Sequence, residues 1–285
     1  MDDTSPVLPL SLIVPAVTAA LQEDLGRAGD ITSAATIPED ATAVATFGAR
    51  KPGVIAGLPI AESTFRHIDP SVRFTPLVRD GDRIDAGGIA ARVEGNARAI
   101  LAAERVALNY LSHLSGIATA TAALVDRVRH TKAKILDTRK TTPNLRAFEK
   151  YAVRCGGGVN HRFGLYDAVL IKDNHIAVAG GVAAAVRKAR AAVGASVRIE
   201  VETGTLAEVA EAMSERPDIV MLDNMSLEDM RAAVALIAGR AVTEASGNVT
   251  LETVGAIAET GVDTISSGWI THSAPALDLG LDVVI

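Results

Sequence analysis

The sequence predicts an α/β protein in two parts: a small N-terminal α+β half, then a larger half of consecutive β/α units. Three observations carry this. Beyond residue 130, apolar runs of strand length alternate with helix-patterned stretches, the pattern of a parallel sheet covered by helices. Between Ala41 and Val93 the β-type runs are short and are cut by Pro52-Gly53, Asp80-Gly81 and Gly87-Gly88. The composition is 48% hydrophobic but only 3% aromatic, with 24 glycines, which means a core of Ala, Val, Leu and Ile suited to strands beneath Ala-rich helices. A length of 285 residues suits one large α/β unit or two domains. The expected boundaries are 1–110 for the first domain, with 272–285 a candidate to rejoin it, and 111–271 for the second.

In chain order, Ser11 to Leu25 reads as an amphipathic helix with Leu12, Val17, Ala20 and Leu21 on its apolar side and Gly26 as its stop. The next stretch, GDITSAATIPED, reads as loop. β-type runs follow at Val44 to Phe47, Val54-Ile55, Val72 to Leu77 and Ile89 to Val93. A helical pattern begins near Asn96, with Ile100, Ala103, Ala107, Tyr110, Leu111 and Leu114 facing one way. It continues towards Val128 and carries the chain from one domain into the next. Six strand-length runs then end near Thr138, Lys172, Glu202, Asp223, Ser246 and Ser267. They bracket helix-patterned stretches at Leu145 to Arg154, Val182 to Val193, Leu206 to Met213, Leu227 to Ile237 and Leu251 to Ile257. Right-handed crossovers let such a series curl into a barrel or open into a doubly wound sheet. A polar residue at the carboxyl end of every strand favours the barrel, which collects them on one rim. The open sheet would also want a GxGxxG at its first turn, and none is there. The final LDLGLDVVI reads as one more strand.

The chemistry concentrates between Ile135 and His175. Arg139, Lys140, His161, Arg162 and Lys172 fall within one strand-helix-strand stretch of a chain whose formal charge is −6, and this local excess of cations points to an anion site. Arginine forks suit carboxylates or pyrophosphate. The Ser246-Gly247-Asn248 and Ser267-Gly268 turns put small residues beside helix starts, where backbone N–H groups can face a phosphate. Glu202 and Asp223 suit a sugar diol or a Mg²⁺ held partly through water. Taken singly, each has a blander reading. A strand-end Lys or Arg is more often a solvated charge, and Asp137, Glu200 and Glu202 could be local ion-pair partners. The run Gly156-Gly157-Gly158 reads as a helix stop, and Cys155 as a small core residue. Joint placement at the strand ends lifts the functional reading.

The acidic balance argues against nucleic acid or an anionic membrane as main partner. With one cysteine no intrachain disulfide can form, and a reducing cytoplasm is the simplest compartment. The apolar run from Leu8 to Val14 is cut by Pro9 and is wrong for a signal peptide. No run reaches the ~18 apolar residues of a membrane helix. His67, His113, His130 and His272 are scattered without HExxH or CxxC spacing, so no protein-built metal cage is expected.

The motifs DTRKTTP, EKYAVRCGGGVNHR and LIKDNH, with EDLGRAGDIT and ERVALNYLSHLSGIAT upstream and ASGNVTLETV downstream, resemble the quinolinate phosphoribosyltransferase family over nearly the whole chain. One departure is Asn144, which stands where that pattern has glycine after TTP; asparagine tolerates the left-handed turn. The resemblance implies an N-terminal α/β sandwich and a C-terminal incomplete (β/α) barrel with fewer than eight parallel strands. It also implies a homodimer, open to higher assembly, in which Arg105 reaches the neighbouring subunit's site. Quinolinate would fall to Arg105, Arg139, His161, Arg162 and Lys172, with Thr138 beside them. Lys140, Lys172 and the late Ser/Gly turns would meet the phosphates of phosphoribosyl pyrophosphate. Glu202 and Asp223 would meet its ribose or Mg²⁺, and Lys140, Lys172, Glu202 and Asp223 would be the catalytic set.

The implied reaction, phosphoribosyl transfer to the pyridine nitrogen with loss of the 2-carboxylate, suits this inventory. A ring nitrogen with a free lone pair needs no general base, whereas departing pyrophosphate needs fixed positive charge. Three rivals stand beside it. One is a lyase or aldolase using Lys172 as a Schiff-base nucleophile, its pKa depressed by Arg139, Lys140 and Arg162. Another is a non-catalytic phosphosugar-binding relative. The third is a transferase acting on nicotinic acid, which has less need of so many arginines.

Overall fold

The computed structural model describes residues 6–284, and they form two compact units. The first contains the described residues up to Ala122, together with Thr142–Gly157 and the chain end from Ser273; the second contains Ala123–Thr141 and Gly158–His272.

The first unit opens with α1 (Leu10–Leu25), which buries Ile13, Val17 and Leu21, an i, i+4, i+8 stripe. Leu12, expected on that side, is 43% exposed because it lies one residue off the stripe. The stretch read as loop contains a helix, α2 (Ile31–Thr36). Asp30 starts it, its carboxylate accepting the N–H groups of Thr32 and Ser33 at 3.0 Å each. Six residues are too few to show a period, so the cap was the only local signal. There follow β1 (Thr42–Ala49), β2 (Gly53–Val54), α3 (Leu58–Ile68), β3 (Arg73–Pro76), β4 (Arg83–Ile84) and β5 (Ile89–Asn96). The α3 helix starts at Gly57 with Pro59 in its first turn, and the Asp80 carboxylate accepts the Gly57 and Leu58 N–H groups. Phe47, Phe65 and Phe74, three of only five phenylalanines, meet with ring centroids 5.9–6.0 Å apart and centre this core. The 32-residue α4 (Ala97–Val128) begins where its pattern predicts and runs on into the second unit.

In the second unit β6 (Lys134–Leu136) comes first. The next helix, α5 (Arg146–Cys155), does not cover the sheet as a crossover would; it packs within the first unit. It ends at Gly156, whose N–H donates to Ala152 O. Cys155 is buried, and burial pushes its thiol up to about 12, consistent with a core role. Then come β7 (Val169–Ile171), α6 (Asp173–Ala179), α7 (Val182–Ala192), β8 (Ile199–Thr203), α8 (Leu206–Ser214), β9 (Ile219–Asp223), α9 (Leu227–Ile237), β10 (Val242–Ser246), α10 (Val254–Ala258), β11 (Thr264–Ser266) and α11 (Trp269–His272). The six strands form one parallel sheet in the order β6-β11-β10-β9-β8-β7.

That order is a barrel's, opened at one seam. From β7 to β11 each strand lies beside the next, which a doubly wound sheet does not do. At the seam, Val159 donates to Ile135 O at 2.8 Å and accepts from the Asp137 N–H at 3.3 Å, so one residue borders β6 where a full strand would close the ring. The last strand, β12 (Leu279–Val284), returns to the first unit and pairs antiparallel with β1, giving the sheet β12-β1-β5-β3.

Candidate active site

The carboxyl ends of the six parallel strands open on one cavity of about 730 Å³. Thr138, Arg139 and Lys140 enter it after β6, His161 and Arg162 from the seam, and Lys172 after β7. Glu202, Asp223, the Ser246-Gly247-Asn248 turn and the Ser267-Gly268 turn follow from β8 to β11. Every predicted site residue except Arg105 lines it. Arg105 stands exposed on α4 in the first unit.

Local chemistry explains this placement. Asp137, fully buried, accepts the Asn160 side-chain amide at 2.6 Å and the His161 N–H at 2.8 Å, which pins the seam against the end of β6. The Thr138 hydroxyl accepts the Lys140 N–H at 3.0 Å and turns the chain inward. The Thr271 hydroxyl reaches Lys140 O at 2.7 Å and Gly268 O at 3.1 Å, tying the first strand's end to the last turn. Asn248 donates to Asn224 at 3.3 Å, and Asn224 donates to the Asp223 carboxylate at 2.7 Å. Gly247 has φ 92°, and a Cβ there would sit 2.1 Å from Asn224 Oδ1, so this relay needs glycine.

The cavity is cationic on one side and acidic on the other. Burial, aided by the charge of Arg139, pushes the Arg162 guanidinium's pKa down, and its Nη1 donates to Ala168 O at 3.1 Å. Lys172 Nζ lies 3.5 Å from Glu202 Oε2. Burial raises the Glu202 carboxyl; Lys172 opposes this and the nearby Asp223 charge adds to it. Two hard carboxylates that repel one another at a cavity mouth fit a Mg²⁺ ion held directly or through water.

Under the arginines lies a group that sequence reading did not assemble. His161 Nε2 is 2.9 Å from Glu200 Oε2 and 3.5 Å from Glu244 Oε2. Both glutamates are buried. Burial, the largest influence, lowers the ring's pKa, but hydrogen bonds and charge from the two carboxylates outweigh it and raise it to about 10. Such a pKa would imply an imidazolium at neutral pH, yet the Arg162 N–H points at Nδ1 from 2.7 Å. A donor so placed requires a lone pair on Nδ1, so the ring is neutral with its proton on Nε2. Burial raises the Glu200 carboxyl, and the hydrogen bond from His161 opposes it. Glu200 therefore has a partner, as a local ion-pair reading expects, but the partner is His161. Glu244 was not singled out at all. A glutamate inside each of the apolar runs VRIEVE and AVTEAS was the available signal, because period-2 alternation turns it to the sheet face shared with the strand-end residue two positions on.

Comparisons with known proteins agree with this architecture. The models described as quinolinate phosphoribosyl transferase, N-terminal domain, and quinolinate phosphoribosyl transferase, C-terminal domain, match residues 30–115 and 117–282. Quinolinate phosphoribosyltransferase (decarboxylating) 2a, mitochondrial, of Nicotiana tabacum is 46% identical over 282 residues, 93% of this chain and 80% of that protein. The probable nicotinate-nucleotide pyrophosphorylase (carboxylating) of Bacillus subtilis (strain 168) is 44% identical over 263 residues, 92% of this chain and 90% of its own. The solved nicotinate-nucleotide pyrophosphorylase from Francisella tularensis covers 100% of both chains with a TM-score of 0.94 at 42% identity. With both domain models matched in series and relatives aligned over more than nine-tenths of its length, this chain belongs to the quinolinate phosphoribosyltransferase family.

Proposed function

We propose that this protein transfers the phosphoribosyl group of phosphoribosyl pyrophosphate to the ring nitrogen of quinolinate and releases the adjacent carboxylate as CO₂. The products are nicotinate mononucleotide and pyrophosphate, a step of NAD biosynthesis. The observation that carries this reading is the convergence of Arg139, Lys140, Arg162 and Lys172 on one cavity that also holds Glu202 and Asp223, in a member of this family.

Arg139 and Arg162 hold the two adjacent carboxylates of quinolinate and aim its nitrogen at the ribose carbon. Lys140, Lys172 and the backbone of the Ser246-Asn248 and Ser267-Gly268 turns hold the phosphates, and positive charge there stabilises the leaving pyrophosphate. Thr138 sits beside the dicarboxylate. Glu202 and Asp223 meet the ribose hydroxyls or hold Mg²⁺, which when bound neutralises charge on the pyrophosphate. Once the nitrogen is quaternised, its positive charge stabilises the electron pair that stays on C2 as CO₂ departs, and that pair then takes a proton.

The assembly that fits is a homodimer in which Arg105, exposed on α4, completes the partner subunit's site. The setting is cytoplasmic, in keeping with a chain that has one buried cysteine and, among the described residues, no helix long and apolar enough to cross a membrane. The test is direct. Pure protein mixed with quinolinate, phosphoribosyl pyrophosphate and Mg²⁺ should yield nicotinate mononucleotide with stoichiometric CO₂, and nicotinic acid in place of quinolinate should yield little product. Binding of both substrates without CO₂ release would mark a phosphosugar-binding relative instead, and borohydride trapping of a carbonyl substrate on Lys172 would mark a lyase.

A further inference from the structure

We propose that Glu200 and Glu244 are positioning residues that lock the His161 ring, so that His161 sets Arg162 in place and does not itself contact quinolinate. Both ring nitrogens are already taken by the protein. Nδ1 accepts the Arg162 N–H at 2.7 Å, and Nε2 faces Glu200 at 2.9 Å and Glu244 at 3.5 Å. The ring is 10% exposed, and its own backbone N–H is held by Asp137. No nitrogen is left to meet a substrate carboxylate. Family resemblance had placed His161 among the quinolinate contacts; the geometry points to an indirect role.

The two glutamates are costly where they are. They are 3% and 1% exposed, and each keeps an Oε1 with no hydrogen-bond partner, a burial that is unfavourable unless the group holds something. What they hold is the Nε2 proton. With that proton fixed, the lone pair must lie on Nδ1, and Nδ1 anchors the backbone of Arg162, whose guanidinium is braced on Ala168 O. The same three side chains present ligand atoms within 4.8 Å of one another, so a divalent cation is the competing occupant. Atoms sharing a tetrahedral ion at ~2.0–2.1 Å stand farther apart than the 2.9 Å seen between Nε2 and Oε2, which is a hydrogen-bond length.

The link to quinolinate rests on the function proposed above; the lock does not, and two measurements separate them. Nitrogen-15 NMR of the imidazoles, with His161 identified by the signal missing in His161→Leu, should show the proton on Nε2 both without and with quinolinate. A proton on Nδ1, or a ring that changes tautomer when quinolinate binds, would overturn the proposal. An intact Nε2–H in a protein that does not turn over quinolinate would sink the proposed function and leave the lock standing. In kinetics, Glu200→Leu should raise KM for quinolinate about ten- to a hundredfold while KM for phosphoribosyl pyrophosphate moves less than about twofold. Glu200→Gln, which keeps an acceptor, should restore most of the loss. The double variant Glu200→Leu/His161→Leu should be no worse than the worse single one, the signature of residues acting as one unit. Multiplying losses would refute the lock, as would one equivalent of bound divalent metal that disappears in Glu244→Gln.

Discussion

Replacing Lys172 by alanine should separate catalysis from stability. Its Nζ is 3.5 Å from Glu202 Oε2, with the lysine side chain 50% exposed and the glutamate 19%. A pair so open to water contributes at most about 1 kcal/mol, so the melting temperature should fall by no more than about 2–4 °C for a chain of this size. The transition state should suffer far more. Removing an oriented group that stabilises developing charge costs about 10²–10³ in kcat, or about 2.7–4 kcal/mol. Loss of the cation also removes the influence opposing the upward shift of the Glu202 carboxyl, which weakens the acidic side of the cavity as well. The assay is the initial rate of nicotinate mononucleotide formation and CO₂ release, with calorimetry on the same sample. Lys172→Arg, which keeps charge but not shape, should recover part of the rate. A rate within about threefold of wild type would refute the placement of Lys172 on the leaving group. A melting temperature lowered by much more than this estimate would show that the pair is a structural strut instead.

Other perturbations follow from the same geometry. Asp137→Ala removes a buried carboxylate that accepts from both Asn160 and His161; at about 1.5–3 kcal/mol per bond to a charged group, denaturant titration should show a loss of about 3 kcal/mol or more. Asp30→Ala should cost about 1 kcal/mol through the lost cap of α2. Because hydrogen bonds from Ser33 hold the Asp30 carboxyl below its usual range, the contribution of that charge is present above the ordinary aspartate pKa and disappears as pH falls through the folded value. The gap in melting temperature between wild type and variant should therefore narrow as the pH falls below the ordinary aspartate range. Asn144 has φ 67°, so Asn144→Gly should change stability by less than about 0.5 kcal/mol while Asn144→Val costs about 1–2 kcal/mol. Gly247→Ala drives a methyl group onto Asn224. KM for phosphoribosyl pyrophosphate should rise about tenfold as the Asn248–Asn224–Asp223 relay breaks.

Much of the site was legible because its residues lie at strand ends. An apolar run that stops at a polar residue announces both the strand and its exit, and six such exits in a parallel series share a rim whatever the details of packing. That is why Arg139, Lys172, Glu202 and Asp223 line one cavity; the left-handed turn at Asn144 was instead implied by the family resemblance, whose pattern has glycine there. Short elements were less legible. The α2 helix depends on one cap, whereas α3, which opens at Gly57 with φ 109°, does carry helical spacing in Leu58, Ala61 and Phe65.

Local periodicity and strand-end chemistry thus determined the α/β class, the parallel series and the identity of the cationic rim. Tertiary structure decided three other things. It sent α5 into the first unit, left the β6–β7 seam open with only Val159 bordering β6, and brought His161, Glu200 and Glu244 together from positions 39 to 83 residues apart in sequence. Periodicity reports only which face a residue takes relative to its chain neighbours. Which distant face it meets is settled by packing, where a buried carboxylate must find a donor and an apolar helix must find a surface to cover.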